Sequence, residues 1–403
     1  MSTTFLHGVE VMEIDDGPRP IQTVRSSVIG LVGTAPNADA AAFPLNTPVL
    51  VAGSRAAAAD LDTVGTGLGT LPAAMDGIFD QVGAAVVVIR VEEGADAAAT
   101  LVNVLGGVDV DTGAYSGVHA LLGADAALGV TPRILCVPGF TGNRPEDPGV
   151  PGTYLANPVV SELLAIADRL RAVIIADGPS TNDAEAILYA GDFGSKRVYV
   201  VDPAVKMIDS AGSVAVEPAS ARVAGIIAKS DAERGFWWSP SNREMYGIVG
   251  TERAIDFALG DLNARANLLN EAKVATIIRQ NGYRLWGNRT LSSDAKWAFL
   301  SVVRTADMIH DSLLRAHLWA VDRNITKTYL EDVVEGVNAY LRTLKSLGAI
   351  LGGRCWADPD LNTPANLAAG HVYFDFDFTP PAPAEHVEFR SRLVNDYFEE
   401  VVG

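Results

Sequence analysis

Between residues 26 and 205 the chain passes repeatedly through short apolar stretches closed by glycine or proline. They are SSVIGLVGTAP (26–36), PVLVAG (48–53), AAVVVIRV (84–91), PRILCVPG (132–139), RAVIIADGP (171–179) and RVYVVDPAV (197–205). Each is too short for a core helix and reads as a buried strand. Segments with three- and four-residue apolar spacing separate them, at 70–82, 161–170, 182–193 and 220–235. In the first, Thr70 is a candidate N-cap and Pro72 suits the opening turn. Strands alternating with helices imply βαβ units and a mainly parallel sheet. This α/β body covers roughly residues 24–265.

The last third reads differently. KVATIIRQ and YRLWGNRT flank Asn281-Gly282, a strong hairpin signal. Part of 296–321 must be helical, and 328–350 carries an apolar stripe that stops at Gly348, Gly352 and Gly353. HVYFDFDF (371–378) alternates aromatic and acidic residues, as a half-buried strand does, and HVEFRSRLVNDYF (386–398) reads as another. Helices on a small antiparallel sheet give an α+β unit. At the other end, FLHGVEVMEI (5–14) is rich in β-formers and closes on Asp15-Asp16-Gly17-Pro18, an extended arm with one strand.

Charge narrows the function. The 403 residues carry a formal net charge of -18, which disfavours a general role on nucleic acid or anionic lipid. Residues 279–354 are the exception, with 11 basic and 7 acidic side chains. That region is either a solvated helix surface or a contact face for an acidic partner. The two cysteines, Cys136 and Cys355, have no CxxC neighbour, so neither a disulfide framework nor a zinc site is expected, and folding in a reducing cytoplasm fits. No secretory signal or membrane-spanning run stands out.

No reaction chemistry assembles from the residues. The six histidines form no HExxH, and His310 and His317 lie two helical turns apart. There is no GxSxG elbow around Ser239 or Ser241. Asp177 ends a predicted strand, where functional acids often lie, but before Gly-Pro it reads as a turn former. Gly65, Gly67 and Gly69 lack the lysine of a phosphate loop and read as an ordinary loop. Trp237-Trp238 reads as core or interface packing. From the residues alone, the chain is a two-domain α/β plus α+β protein, open to enzyme, binding or structural readings.

Several stretches carry a resemblance. WWSPSN (237–242), GYRLWGNRT (282–290) and DFTPPAPAE (377–385) are the most specific. FPLNTPVLV, GTLPAAMDGIFDQVGAAVVVIRV and LGVTPRILCVPGF support them. In this order, over nearly the whole chain, they resemble the compact tail sheath proteins of contractile bacteriophages and phage-tail-like particles. The resemblance implies a structural subunit, not an enzyme, with no cofactor and no metal. It implies a subtilisin-like α/β outer domain without catalytic residues (21–268) and a smaller α+β inner domain facing a tube (269–396). It also implies an N-terminal arm strand (1–20) and a C-terminal arm (397–403).

The arm strand would present Phe5, His7, Val9 and Val11 to a neighbouring subunit, and Arg315, Arg323 and Lys327 are the tube-facing candidates. Implied partners are other copies in stacked hexameric rings, a tail tube protein, baseplate proteins and a tail terminator. Nucleic acid and membrane insertion are not implied. Assembly would occur in the host bacterial cytoplasm, in a virion tail or phage-tail-like particle. The alternatives are a non-contractile virion protein or an α/β enzyme.

Overall fold

The computed structural model describes residues 20–209, 212–398 and Glu400. The expected strand at 5–14, with Phe5, His7, Val9 and Val11, lies outside them, as does the end of the expected C-terminal arm.

The strands in chain order begin with β1 (Ile29–Thr34), β2 (Val49–Ala52) and β3 (Ala85–Val91). A two-residue pair follows, β4 (Gly107–Val108) with β5 (Tyr115–Ser116), then β6 (Ile134–Cys136), β7 (Val173–Asp177) and β8 (Val198–Val201). Next come β9 (Val205–Ile208), β10 (Val214–Glu217) and β11 (Gly250–Thr251), then β12 (Val274–Arg279), β13 (Tyr283–Trp286), β14 (Gly352–Ala357) and β15 (Phe374–Thr379). Eight of them form one sheet in the order β13-β12-β8-β7-β6-β1-β3-β2. The five inner pairings are parallel and the two edge pairings antiparallel.

The apolar runs are nearly continuous because both faces of the sheet are covered. In β3, Val86 and Val88 enter one core while Val87, Ile89 and Val91 enter the other. The helices α1 (Leu71–Phe79), α2 (Ala97–Leu105), α3 (Ala124–Leu128), α4 (Pro158–Leu170), α5 (Asp183–Gly191), α6 (Ser220–Arg234) and α7 (Arg265–Glu271) accompany it. Met75 and Ile78 of α1 and Val223 and Ile227 of α6 fill the first core. Leu163 and Ile166 of α4 and Tyr189 of α5 fill the second. Each such side chain contributes on the order of 1.5–3 kcal/mol by leaving water.

Four expectations are corrected here. Thr70 precedes α1 but does not cap it, because its backbone is already helical. Its hydroxyl instead accepts from the Thr34 N–H at 3.2 Å. Gly33 permits that approach, since a Cβ there would lie 2.2 Å from the Thr70 oxygen. The expected strand 197–205 splits at Pro203, which has no N–H for a ladder. Its first half stays in the large sheet, and β9 joins β10 and β11 in a separate small one.

The third correction concerns the boundary at 268/269. The Asn281-Gly282 hairpin forms, with both residues at positive φ as a tight turn requires. However, β12 pairs in parallel with β8, so the hairpin completes the large sheet rather than starting another domain. The fourth is the strand expected at 386–398. Residues 386–395 take no strand conformation, and Asp396–Phe398 forms a single 3₁₀ turn.

The last unit packs α8 (Leu300–Ala316) and α9 (Lys327–Ser346) against the antiparallel pair β14–β15. Ile309, Tyr340, Leu341, Leu344 and Ile350 form its core, with Phe374, Phe376 and Phe378 packed on it. Ile21 and Val24, from the first described residues, join the same cluster.

Candidate assembly interface

The positions where chemistry was sought are all occupied by local structural work. Asp177 ends β7, buried, and caps the start of α6. One carboxylate oxygen accepts from the Ser220 N–H at 2.8 Å and the other from the Ser220 hydroxyl at 2.6 Å. Burial pushes its pKa up to about 6, against the hydrogen bonds that favour the carboxylate. The Gly65–Gly69 loop wraps an anion that the chain itself supplies. The Asp62 carboxylate accepts from Gly65 N at 3.0 Å and Gly67 N at 2.5 Å, and these bonds lower its pKa.

Ser239 and Ser241 accept from backbone N–H groups, including that of Gly287. The His310 ring sits edge-on to Phe376 and Phe378 at 5.9 Å each, and burial lowers its pKa. His317 bonds the Leu313 carbonyl. Among the described residues no group of three or more His, Cys, Asp or Glu could hold a metal ion. No helix there is long and apolar enough to cross a membrane.

The three most specific motifs converge in space. Asn242 of WWSPSN donates its N–H to the Leu285 carbonyl of GYRLWGNRT at 2.6 Å. Arg289 of GYRLWGNRT holds Glu385 of DFTPPAPAE through two parallel bonds of 2.7 and 2.5 Å. Trp237 packs edge-on to Phe236 at 5.1 Å, on the core of the C-terminal unit, while Trp238 is half exposed beneath Arg234. This junction brings the sheet edge, the loop after α6 and the exit of β15 together.

A second junction was not foreseen. Helix α8 presents Arg304, Asp307 and Asp311 at three- and four-residue spacing, so they share a face. Arg304 pairs with Asp231 of α6 at 2.6 Å, and both side chains are under 5% exposed. Asp307 pairs with Arg197, just before β8, and Asp311 with Arg133, just before β6. Three ion pairs, two of them buried on both sides, thus lock α8 to the sheet body in one register, because any slip leaves a charge unpaired. The signal was present in the sequence as charges inside the apolar periodicity of 300–316.

The N-terminal segment is stitched along the same helix. Val24 N donates to the Ser312 hydroxyl at 3.1 Å, the Ser26 hydroxyl donates to Asp231 at 2.6 Å, and Arg304 donates to the Ser26 carbonyl.

The tube-facing candidates lie at the end of α8, in the connection after it and at the start of α9. Arg315 turns back to Asp311, Asp125 and Thr131 and is engaged within the chain. Arg323 lies over the Trp319 ring at 5.3 Å, and Lys327 is 89% exposed with only Glu331 at 3.6 Å. Within 279–354, Arg289, Arg304, Arg315, Arg342 and Arg354 have carboxylate partners, and of these only Arg304 is buried.

Beyond Glu385 the chain leaves the body. Among the described residues that follow, the one side-chain hydrogen bond is local, from Arg390 to Glu388. Phe389 is 92% and Leu393 99% exposed.

Comparison with known proteins agrees with this architecture. The model of the phage tail sheath protein central domain matches residues 113–291, and that of the phage tail sheath C-terminal domain matches 292–393. That division falls just after β13, where the large sheet ends. A prophage major tail sheath protein of Pseudomonas aeruginosa (strain UCBPP-PA14) is 44% identical over 402 residues, covering 99% of each chain. The tail sheath protein of Escherichia phage P2 is 37% identical over 407 residues, covering 99% of this chain and 98% of its own.

Among solved structures, the anti-feeding prophage helical sheath in its contracted state superposes with a TM-score of 0.70. It is 19% identical and covers 97% of this chain and 99% of its own. The sheath of an extracellular contractile injection system, PVC, gives 0.69 at 15% identity, covering 98% and 99%. These two likenesses concern the fold. The family is one of structural tail components rather than enzymes, and the chain belongs to it: this is a phage tail sheath protein.

Proposed function

We propose that this chain is the repeating subunit of a contractile sheath. Copies assemble as helically stacked hexameric rings around an inner tail tube, and contraction drives the tube through a target cell envelope. The observation that carries this reading is the segment after Glu385. Val387, Phe389 and Leu393 alternate with Glu388, Arg390 and Arg392 and lie in water at the edge of a well-packed body. A lone strand with an apolar side is not stable by itself, but it can complete a sheet in another copy. The arm strand with Phe5, His7, Val9 and Val11 would do the same at the other end. Neighbours of the same fold come from a helical sheath in a contracted state.

In this reading the α/β body, of subtilisin-like type, faces outward and the unit from about residue 292 faces the tube. The buried ion pairs of α8 make the two swing together, so that motion falls on the arms. Arg315, Arg323 and Lys327 are the candidates for a tube contact. Baseplate and terminator proteins would close the ends of the sheath, in a virion tail or phage-tail-like particle assembled in the host cytoplasm. No cofactor is needed, since the work comes from the free-energy difference between two packings.

Negative-stain electron microscopy of the purified chain is the direct test. Hollow striated cylinders are the expected outcome. Monomers that persist even with tube and baseplate proteins present would overturn the proposal. Reversing charge at Arg323 and Lys327 should weaken co-assembly with the tube, and unchanged co-assembly would remove them from that role.

A further inference from the structure

The geometry points to Arg289 and Glu385 as a positioning pair that sets where, and in which direction, the C-terminal segment leaves the subunit. The inference rests on the sheath reading above for its consequence, though not for its geometry. Three observations carry it.

The pair is bidentate, with the guanidinium Nε and one terminal nitrogen each donating to a separate Glu385 oxygen. This planar fork fixes orientation as well as distance, which a lysine in the same place would not do. Arg289 is itself held from the other side, with its guanidinium 5.4 Å above the Phe299 ring and its backbone bridged to Phe299. The Glu385 carboxylate raises the guanidinium pKa, so the charge is permanent.

The stretch between β15 and Glu385 contains Pro380, Pro381 and Pro383. Proline fixes φ and biases the preceding residue to extended backbone, so such a stretch behaves as a short strut. One end is held because Thr379 pairs with Gly352 in the β14–β15 ladder. The other end is held by Arg289. A strut fixed at both ends defines the direction of the chain that follows, and Glu385 is the last described residue to hydrogen-bond outside its own segment.

The strut also crosses from the C-terminal unit to the sheet body. Glu385 sits beside Ala275, Gly287 and Asn288, at the antiparallel edge of the large sheet. The exit is therefore referenced to the rigid sheet rather than to the smaller unit from which β15 comes. Copies in a helical array must send this segment to one neighbour and not another. A defined exit achieves that at lower ordering cost than a free tail.

The test uses the full chain with spin labels at Glu271→Cys, on the exposed end of α7, and Ser391→Cys. The native Cys136 and Cys355 are buried and do not label. Labelled protein is diluted into unlabelled protein, and the width of the label-to-label distance distribution is read by double electron–electron resonance. Arg289→Ala and Glu385→Ala should each broaden it, and the swap Arg289→Glu with Glu385→Arg should narrow it again. Cylinder yield should fall in the single variants and recover in the swap, with melting temperature unchanged in all, because both side chains are more than a third exposed.

Equal widths in all variants would overturn the inference. Broadening without any change in cylinder yield would overturn the directing role. Parent protein that never forms cylinders, even with tube and baseplate proteins, would sink the sheath reading, while the widths would still decide whether the pair sets the exit.

Discussion

Two stretches near the end of the chain carry the same alternation and have opposite fates. In β15, Phe374, Phe376 and Phe378 alternate with Asp375, Asp377 and Thr379. In 386–394, Val387, Phe389 and Leu393 sit in a comparable period-two pattern with charged residues between them. The first is docked: its backbone pairs residue for residue with β14, and its phenylalanines lie on Tyr340, Ile309 and their neighbours. The second forms no strand, and its Phe389 and Leu393 are 92% and 99% exposed. Alternation therefore specifies a strand's two faces but not the strand. A ladder partner and a covering surface are also needed, and for 386–394 no ladder partner is found among the described residues.

The largest predicted effect removes what the docked stretch ultimately rests on. Asp231→Ala leaves the buried Arg304 guanidinium without its carboxylate, where only the Ser26 carbonyl remains. It should cost about 3–5 kcal/mol in urea denaturation. A cost under about 1 kcal/mol would mean that α8 is not locked by charge.

Truncating the two stretches at matched positions comes next. Phe376→Ala should cost roughly 2–3 kcal/mol, less than a fully buried phenylalanine because one edge is open. Phe389→Ala should change monomer stability by less than about 0.5 kcal/mol, as surface changes do. Its effect should appear in cylinder formation instead. Similar losses of stability in both variants would erase the distinction drawn here.

A smaller effect comes from pH and should strike only the docked stretch. Burial lowers the His310 pKa below its ordinary 6.5, helped by the positive charge of Arg171. A base with a depressed folded pKa contributes stability that is complete above its unfolded value and is lost as pH falls through the folded one. Protonation would place charge between Phe376 and Phe378. The His310 contribution to the unfolding free energy should therefore decline as the solution is acidified from pH 7, against the opposite trend from Asp177, and His310→Leu should remove that contribution. An unchanged slope in the variant would show that His310 is not the titrating group.

Much of the body was readable from local pattern. The unbroken apolar runs marked strands buried on both faces, and Asn281-Gly282 marked a hairpin whose turn chemistry leaves little choice. Proline at 203 and the hairpin's attachment to β8 were not readable. The first needs the position of the ladder, and the second depends on pairing between strands some 75 residues apart. The bonds of Arg315 were hidden for a similar reason, since Asp125 and Thr131 are brought to it from 184–190 residues away.

The sequence by itself determined where the buried strands and helices of the sheet body lie and which of their faces are apolar. Those properties depend on neighbours two to four residues apart. The tertiary structure alone decided where the sheet ends, which charges are neutralised inside, and which alternating stretch is left without a partner. Pairing across long loops depends on the shape and chemistry of surfaces formed elsewhere in the chain, and those are absent from any local window.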